Sequence, residues 1–220
     1  VPLPGGTVAI ERPYRMAVSY LLTLFGKEAL TPDLAFLKEV SSQELALIEK
    51  QLEKGINSPL TSSCGRLFDA VSAMIGIRGR IDYEAQAAIE MEMAADENVR
   101  GSYPFAIVER DGVNIVHLKE LFGGVIGDLK SGVSQARISM KFHRTMAEMV
   151  VQMCQRLAKA SGINRMALTG GVFQNRLLLR LTVVGLAEAG FEVLTHSKVP
   201  TNDGGVSLGQ AVIADFITRE

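Results

Sequence analysis

The sequence predicts a two-part α/β chain, with a mainly helical stretch over residues 1–100 followed by an α/β unit over 101–220. Three observations carry this reading. Capped, amphipathic runs fill the first hundred positions. Near Gly101 the texture changes to alternating runs, Tyr103–Glu109 and Val113–Leu118, which flank Arg110-Asp111-Gly112, a hairpin signal. From Arg165 onward, two short apolar runs each lead through a glycine pair into a helix, the order expected of parallel strands with crossovers.

Each element follows from local chemistry. Tyr14–Phe25 is mostly apolar and ends at Gly26, which suits a left-handed C-terminal cap. Thr31-Pro32-Asp33 offers a cap, a proline for the first helical position and an early acid, so a helix should start there. Ser41 and Glu44 match a capping box for a helix that should stop at Gly55, and Asn57-Ser58-Pro59 reads as a turn. Ser62-Ser63 should cap a helix from Cys64 to Ile75, with Phe68, Val71 and Ile75 on its apolar stripe. Arg66, Asp69 and Ala73 fall opposite, where an Arg66–Asp69 pair is a surface salt bridge or Asp69 faces a ligand. Gly76–Gly79 break the pattern before a helical run over Ile81–Asn98. After the hairpin come helices over Lys119–Lys130 and Gln135–Ser161, strand Arg165–Leu168 and helix Val172–Ala189. Strand Phe191–Thr195 and a terminal helix from about Gly205 to Thr218 complete the chain.

Composition narrows the function classes. With 47% hydrophobic residues, the 220-residue chain has enough apolar material for a good-sized core. Lys+Arg 23 against Asp+Glu 24 gives a net charge of −1, so no basic field invites nucleic acid. Cys64 and Cys154 are far apart and form no C-x-x-C pair, which fits a reducing, cytoplasmic setting better than a disulfide framework. No apolar run is long enough to span a membrane. Val1–Gly6 reads as a linker, and the chain as a piece of something longer.

The chemistry-bearing segments are the two glycine loops. Gly170-Gly171 suits backbone that passes close to a ligand or takes φ > 0, and Asn175, four residues on, should sit one turn up the same helical face. Helix N-termini so placed attract anions through free N–H groups and the positive dipole end. In Asn202-Asp203-Gly204-Gly205, Asp203 is either a helix cap or a metal or phosphate-site acid. His143, alone within a helix, reads as a packed or surface residue rather than a catalytic one. No Ser/His/Asp order, Walker A loop or H-E-x-x-H motif is present.

Longer stretches carry a resemblance. Pro2–Gly6 with Glu11–Arg15, Thr61–Ala70 (Thr-Ser-Ser-Cys-Gly-Arg-Leu-Phe-Asp-Ala), Phe142–Thr145, Leu168–Arg176 (Leu-Thr-Gly-Gly-Val-Phe-Gln-Asn-Arg) and Pro200–Ala211 occur in order over nearly the whole chain. Together they resemble the C-terminal part of the HypF carbamoyltransferases of NiFe hydrogenase maturation. The resemblance implies a ribonuclease H-like lobe of the actin/sugar-kinase superfamily, shared with the tRNA threonylcarbamoyl transferases. It implies that Gly170, Gly171 and Asn175 contact a nucleotide, that Asp69 with Gly65 borders the nucleoside, and that Asp203 helps hold a divalent metal. Where the tRNA enzymes read Gly-Glu-Ala-Phe-Asp-Lys, this chain has Gly65-Arg66-Leu67-Phe68-Asp69-Ala70. The family's implied chemistry uses carbamoyl phosphate and ATP to make carbamoyl-adenylate and passes the carbamoyl group to a HypE cysteine thiol. The family's acylphosphatase-like, zinc, adenylating and histidine-bearing parts have no counterpart here, so the chain should not turn over without the remaining HypF domains. The rival readings are a tRNA threonylcarbamoyl transferase lobe and a non-enzymatic, actin-like nucleotide-binding scaffold.

Overall fold

The structure, a computed structural model, describes residues 1–31 and 33–219. They fall into two compact units, Val1–Thr145 and the residues from Met146 onward. Mixed helix and strand content bears out the α/β class.

The first unit contains α1 (Thr7–Glu11), α2 (Pro13–Phe25), α3 (Ser42–Lys54), α4 (Cys64–Met74) and α5 (Gln86–Met93). It continues with the hairpin β1 (Ala106–Arg110) and β2 (Val113–His117), then α6 (Lys119–Lys130) and the first part of α7 (Gln135–Ser161). Proline at the first position starts α2 and Gly26 closes it. Its buried residues, Met16, Ala17, Tyr20 and Leu21 among them, pack against α4 and α6, with Tyr20 stacked on Phe122 at 4.8 Å between ring centres. Phe68 of α4 meets Phe142 of α7 edge-on at 4.9 Å. In the hairpin, Arg110 pairs with Val113 across Asp111 (φ 52°) and Gly112 (φ 76°). Two positive φ values in a two-residue loop make this the type I′ turn that the Asp-Gly signal implied.

The second unit has β3 (Arg165–Leu168), α8 (Arg176–Glu188), β4 (Glu192–Thr195) and α9 (Val206–Arg219), together with α7 from Met146. Strands β3 and β4 pair in parallel, Arg165 opposite Glu192 and Leu168 opposite Thr195. α8 approaches α7 closely at Gly185, where an added Cβ would lie 2.9 Å from Val151 Cγ2.

Several expectations change. Val1–Gly6 is not a linker: Leu3 N–H donates to Pro59 O, Gly5 N–H to Asn57 O, and buried Arg15 donates to Pro4 O. The helix expected at Thr31 appears only as a 3₁₀ turn over Ala35–Glu39, and Pro32 lies outside the described residues. Residues 81–98 form a helix only over Gln86–Met93, preceded by Ala85 in the left-handed region at φ 61°. Ser63 takes the cap position of α4 without a side-chain cap bond.

Candidate functional site

Two loops leave the carboxyl ends of β3 and β4, the place where open parallel sheets bind ligands. In the first, Gly170 turns the chain at φ 103° and ψ 155°, a conformation that strains any side chain but glycine. A 3₁₀ turn over Gly171–Gln174 follows. In the second, Asn202 precedes a 3₁₀ turn over Asp203–Gly205, which opens α9.

The loops are tied together. Gly170 N–H donates to Thr201 O at 2.8 Å, and the Thr201 hydroxyl donates to Gly170 O at 3.2 Å. His196 Nε2 lies 3.1 Å from Thr169 Oγ1. Beside them lies a cleft of about 350 Å³ lined by Leu168, Phe173, Arg176, His196, Pro200 and Thr201, among others. Its walls mix an aromatic ring, an arginine and hydroxyl groups, which suits a ligand with both a planar apolar part and an anionic part.

The glycines differ in why they are glycine. At Gly204 and Gly205 an added Cβ would lie 2.9 Å from Pro200 Cγ and Pro200 O, so close packing accounts for both. Gly170 is accounted for by its φ. Gly171 has neither reason: its φ is outside the left-handed region and an added Cβ meets only Asn202 Cβ, at 3.9 Å. Gly65 is similar, with Ser63 Oγ at 3.6 Å as its nearest neighbour.

The remaining predicted residues take different positions from those expected. Asn175 is not one turn inside a helix. It interrupts the run at φ −67°, ψ 105° and caps α8, its Oδ1 accepting from Leu178 N–H at 2.8 Å. Asp203 is exposed, and the capping side chain of that turn belongs to Asn202, which accepts from Gly204 N–H at 3.2 Å. Among the described residues, no three His, Cys, Asp or Glu side chains gather as a metal site.

Asp69 and Gly65 lie in the first unit, on α4. The expected surface pair is buried: Asp69 is 1% exposed, with Arg66 Nη1 2.9 Å from its Oδ2. Neither atom makes a well-angled hydrogen bond. Burial pushes the Asp69 carboxyl up to about 6 against the opposing pull of Arg66. The amphipathic reading of α4 missed this because both faces are covered, from Leu67 through Met74. Of the packed and surface positions open to His143 in the sequence reading, the structure gives the packed one. Its Nδ1 donates to Ser139 O at 2.8 Å, its ring stands edge-on to Phe68, and burial holds its pKa down to about 4.

Residues 1–210 match the family described as carbamoyltransferase, Kae1-like domain, second subdomain. The chain is 32% identical over 211 residues to the probable carbamoyltransferase HypF of Methanocaldococcus jannaschii, covering 94% of this chain and 27% of the relative. It is 34% identical over 219 residues to the HypF of Rhodobacter capsulatus, with 97% and 27% covered. Among solved structures it is similar to a full-length HypF in phosphate- and nucleotide-bound form, with a TM-score of 0.91 and 39% identity over the whole chain and 28% of the other. T. kodakarensis HypF gives a TM-score of 0.80 at 26% identity, covering 99% of this chain and 29% of that one. The chain thus spans about a quarter of the length of these relatives.

Proposed function

The chain belongs to the HypF carbamoyltransferase family, and on that premise we propose that it is the ribonuclease H-like lobe that holds an adenylate while a carbamoyl group is transferred. The supporting observation is Gly171. It needs no glycine for its own conformation or packing, yet it stands at the loop junction beyond a parallel strand, two residues before Phe173 of the cleft wall. A backbone kept bare at such a point leaves room for a ligand to approach its N–H groups.

The chemistry follows from the group transferred. The nucleotide is carbamoyl-adenylate, made from carbamoyl phosphate and ATP by the remaining HypF domains. A thiolate of HypE attacks the carbonyl carbon, the bond from that carbon to the phosphate oxygen breaks, and AMP leaves with the electron pair. The product is the S-carbamoylated thiol, a step toward the NiFe hydrogenase in the cytoplasm. This lobe orients the adenylate and, through N–H groups of the glycine loops, offsets negative charge on its phosphate. Asn175 fixes the direction of α8 beneath that loop, and Arg176 at the cleft wall offers a cation to the same phosphate. Asp69, on α4 of the first unit, is held by Arg66 at 2.9 Å. Asp203 supplies one exposed carboxylate. The described residues alone do not fit a metal, and no step is routed through one.

Calorimetric titration with AMP and ATP tests the reading through Gly171→Ala. Stability should change by less than about 0.5 kcal/mol, because the added methyl meets only Asn202 Cβ, at an unstrained 3.9 Å. Nucleotide affinity should fall tenfold or more, whether measured on this chain or with the first subdomain present. Equal affinity in wild type and variant would remove the nucleotide from this loop. Asn175→Ser, which keeps a capping acceptor, separates loss of the cap from loss of the ligand.

A further inference from the structure

The loop between α6 and α7 uses its acceptors and leaves its donors over. Where α6 ends, Ser131 N–H donates to Gly127 O at 3.0 Å, Gly132 N–H to Leu129 O at 3.1 Å and Val133 N–H to Asp128 O at 3.0 Å. Gly132, at φ 69°, makes the left-handed turn that lets a helix satisfy its last carbonyls. By contrast, the hydroxyls of Ser131 and Ser134 and the guanidinium of Arg137 find no protein partner among the described residues. These three side chains line one cavity of about 400 Å³, together with Asp128 and Lys141.

The second cation of this cavity is held in place. Lys141 Nζ donates to Asp128 Oδ2 and lies 4.3 Å from the centre of the Tyr103 ring, while Tyr103 Oη donates to the same oxygen at 2.7 Å. Tyr103 N–H donates to Thr145 Oγ1 at 2.7 Å, and that hydroxyl donates to Lys141 O at 2.8 Å. The seat of the ring requires glycine on α6, since an added Cβ at Gly124 would lie 2.6 Å from Tyr103 Cδ1. A lysine so fixed has little freedom left to lose when a ligand arrives. The one carboxylate on the wall is already engaged by two donors, so Arg137 and Lys141 against Asp128 leave a positive surplus.

We propose that this cavity is a binding site for a small phosphate-class oxyanion. The Arg137 fork matches two of its oxygens, the Ser131 and Ser134 hydroxyls donate to others, and Lys141 supplies a fixed point charge. The volume admits a phosphate with a small substituent, and among the described residues no aromatic side chain lines the wall to hold a base. All of these residues belong to the first unit, so the proposal stands apart from the adenylate reading of the glycine loops.

Amide NMR titration of this chain with inorganic phosphate, at an ionic strength held constant with chloride, tests it. Signals of residues 131–137 and of Lys141 should shift to saturation. Arg137→Gln should weaken binding about tenfold, the loss of one charge-assisted pair. Lys54→Gln, which removes an exposed cation on α3, should leave it unchanged. Asp128→Asn should tighten it severalfold, because the negative charge goes while a carbonyl remains for Tyr103. Arg137 is exposed and unpaired, so circular dichroism should show its variant folded as wild type. Shifts that never saturate, or that chloride alone reproduces, would overturn the proposal, as would equal losses in Arg137→Gln and Lys54→Gln. Weaker binding in a folded Asp128→Asn would do the same. Tighter binding of AMP than of inorganic phosphate at these residues would overturn the assignment to a small ligand.

Discussion

Two buried titratable side chains in the first unit set its pH dependence, and they act in opposite directions. Asp69 is raised by burial, against Arg66, from 3.8 to about 6. Between those values the native state holds a proton that the unfolded chain has lost, so stability falls as pH rises from about 4 to 6. His143 is lowered by burial, against its bond to Ser139, from 6.5 to about 4. There the unfolded chain binds the extra proton, so stability rises with pH across nearly the same window. Each shift corresponds to roughly 3 kcal/mol, and the two largely cancel. Urea denaturation of wild type should therefore show a shallow profile between about pH 4 and 6. Asp69→Asn should lose stability as pH drops through that window, and His143→Gln should gain it. Parallel profiles for the two variants would refute the opposition. None of this was legible in the sequence. Spacing put Asp69 and Arg66 on the polar side of α4, and only the packing of the unit shows that this side is covered as well.

Capping chemistry and glycine positions located most elements, because those signals depend only on neighbouring residues. Ser41 accepts from Glu44 N–H at 3.2 Å, and Gly55 closes α3 in the left-handed region. The Asp111-Gly112 turn and the bounds of α6, α7 and β3 are where local sequence puts them. What failed was whatever a distant residue decides. The Glu44 carboxylate does not complete the capping box. It accepts from Arg15 Nε at 2.8 Å and from Tyr14 Oη at 2.9 Å, thirty positions away in sequence. Burial raises that carboxyl, but these bonds more than offset it and hold it below its ordinary value. Asn175 gave the same lesson in the candidate site. Its spacing put it one turn inside a helix, facing a ligand, and only the break in the backbone makes it the cap of α8. Because Arg15 is 4% exposed, Glu44→Ala should destabilise the chain by about 2–3 kcal/mol by leaving a buried guanidinium without its carboxylate. Pairing it with Arg15→Met should recover a large part of that loss in chemical denaturation. A double variant no more stable than Glu44→Ala would mean that Arg15 matters through Pro4 and Gln51 instead.

Apolar burial is unevenly shared across the molecule. The largest fully buried side chains, from Phe68, Phe122 and Phe142 to Met16, Leu21 and Ile138, all lie at or before Thr145. The second unit, which carries both glycine loops, has a thinner core of Leu168, Leu177, Leu178 and Leu186 with part of α7. Since local stability follows buried apolar contact, the second unit should open at lower free energy than the first. Amide exchange followed by mass spectrometry should show α8, β3 and β4 exchanging well before α2 and α4 in the free chain. A site built on the less stable unit is one that a ligand can order, because binding to the closed form stabilises it by mass action. Saturating AMP should therefore slow exchange at residues 168–178 and 196–206 while leaving α2 unchanged. Uniform exchange across both units, or protection by AMP confined to the first unit, would show that the adenylate is not held by the glycine loops.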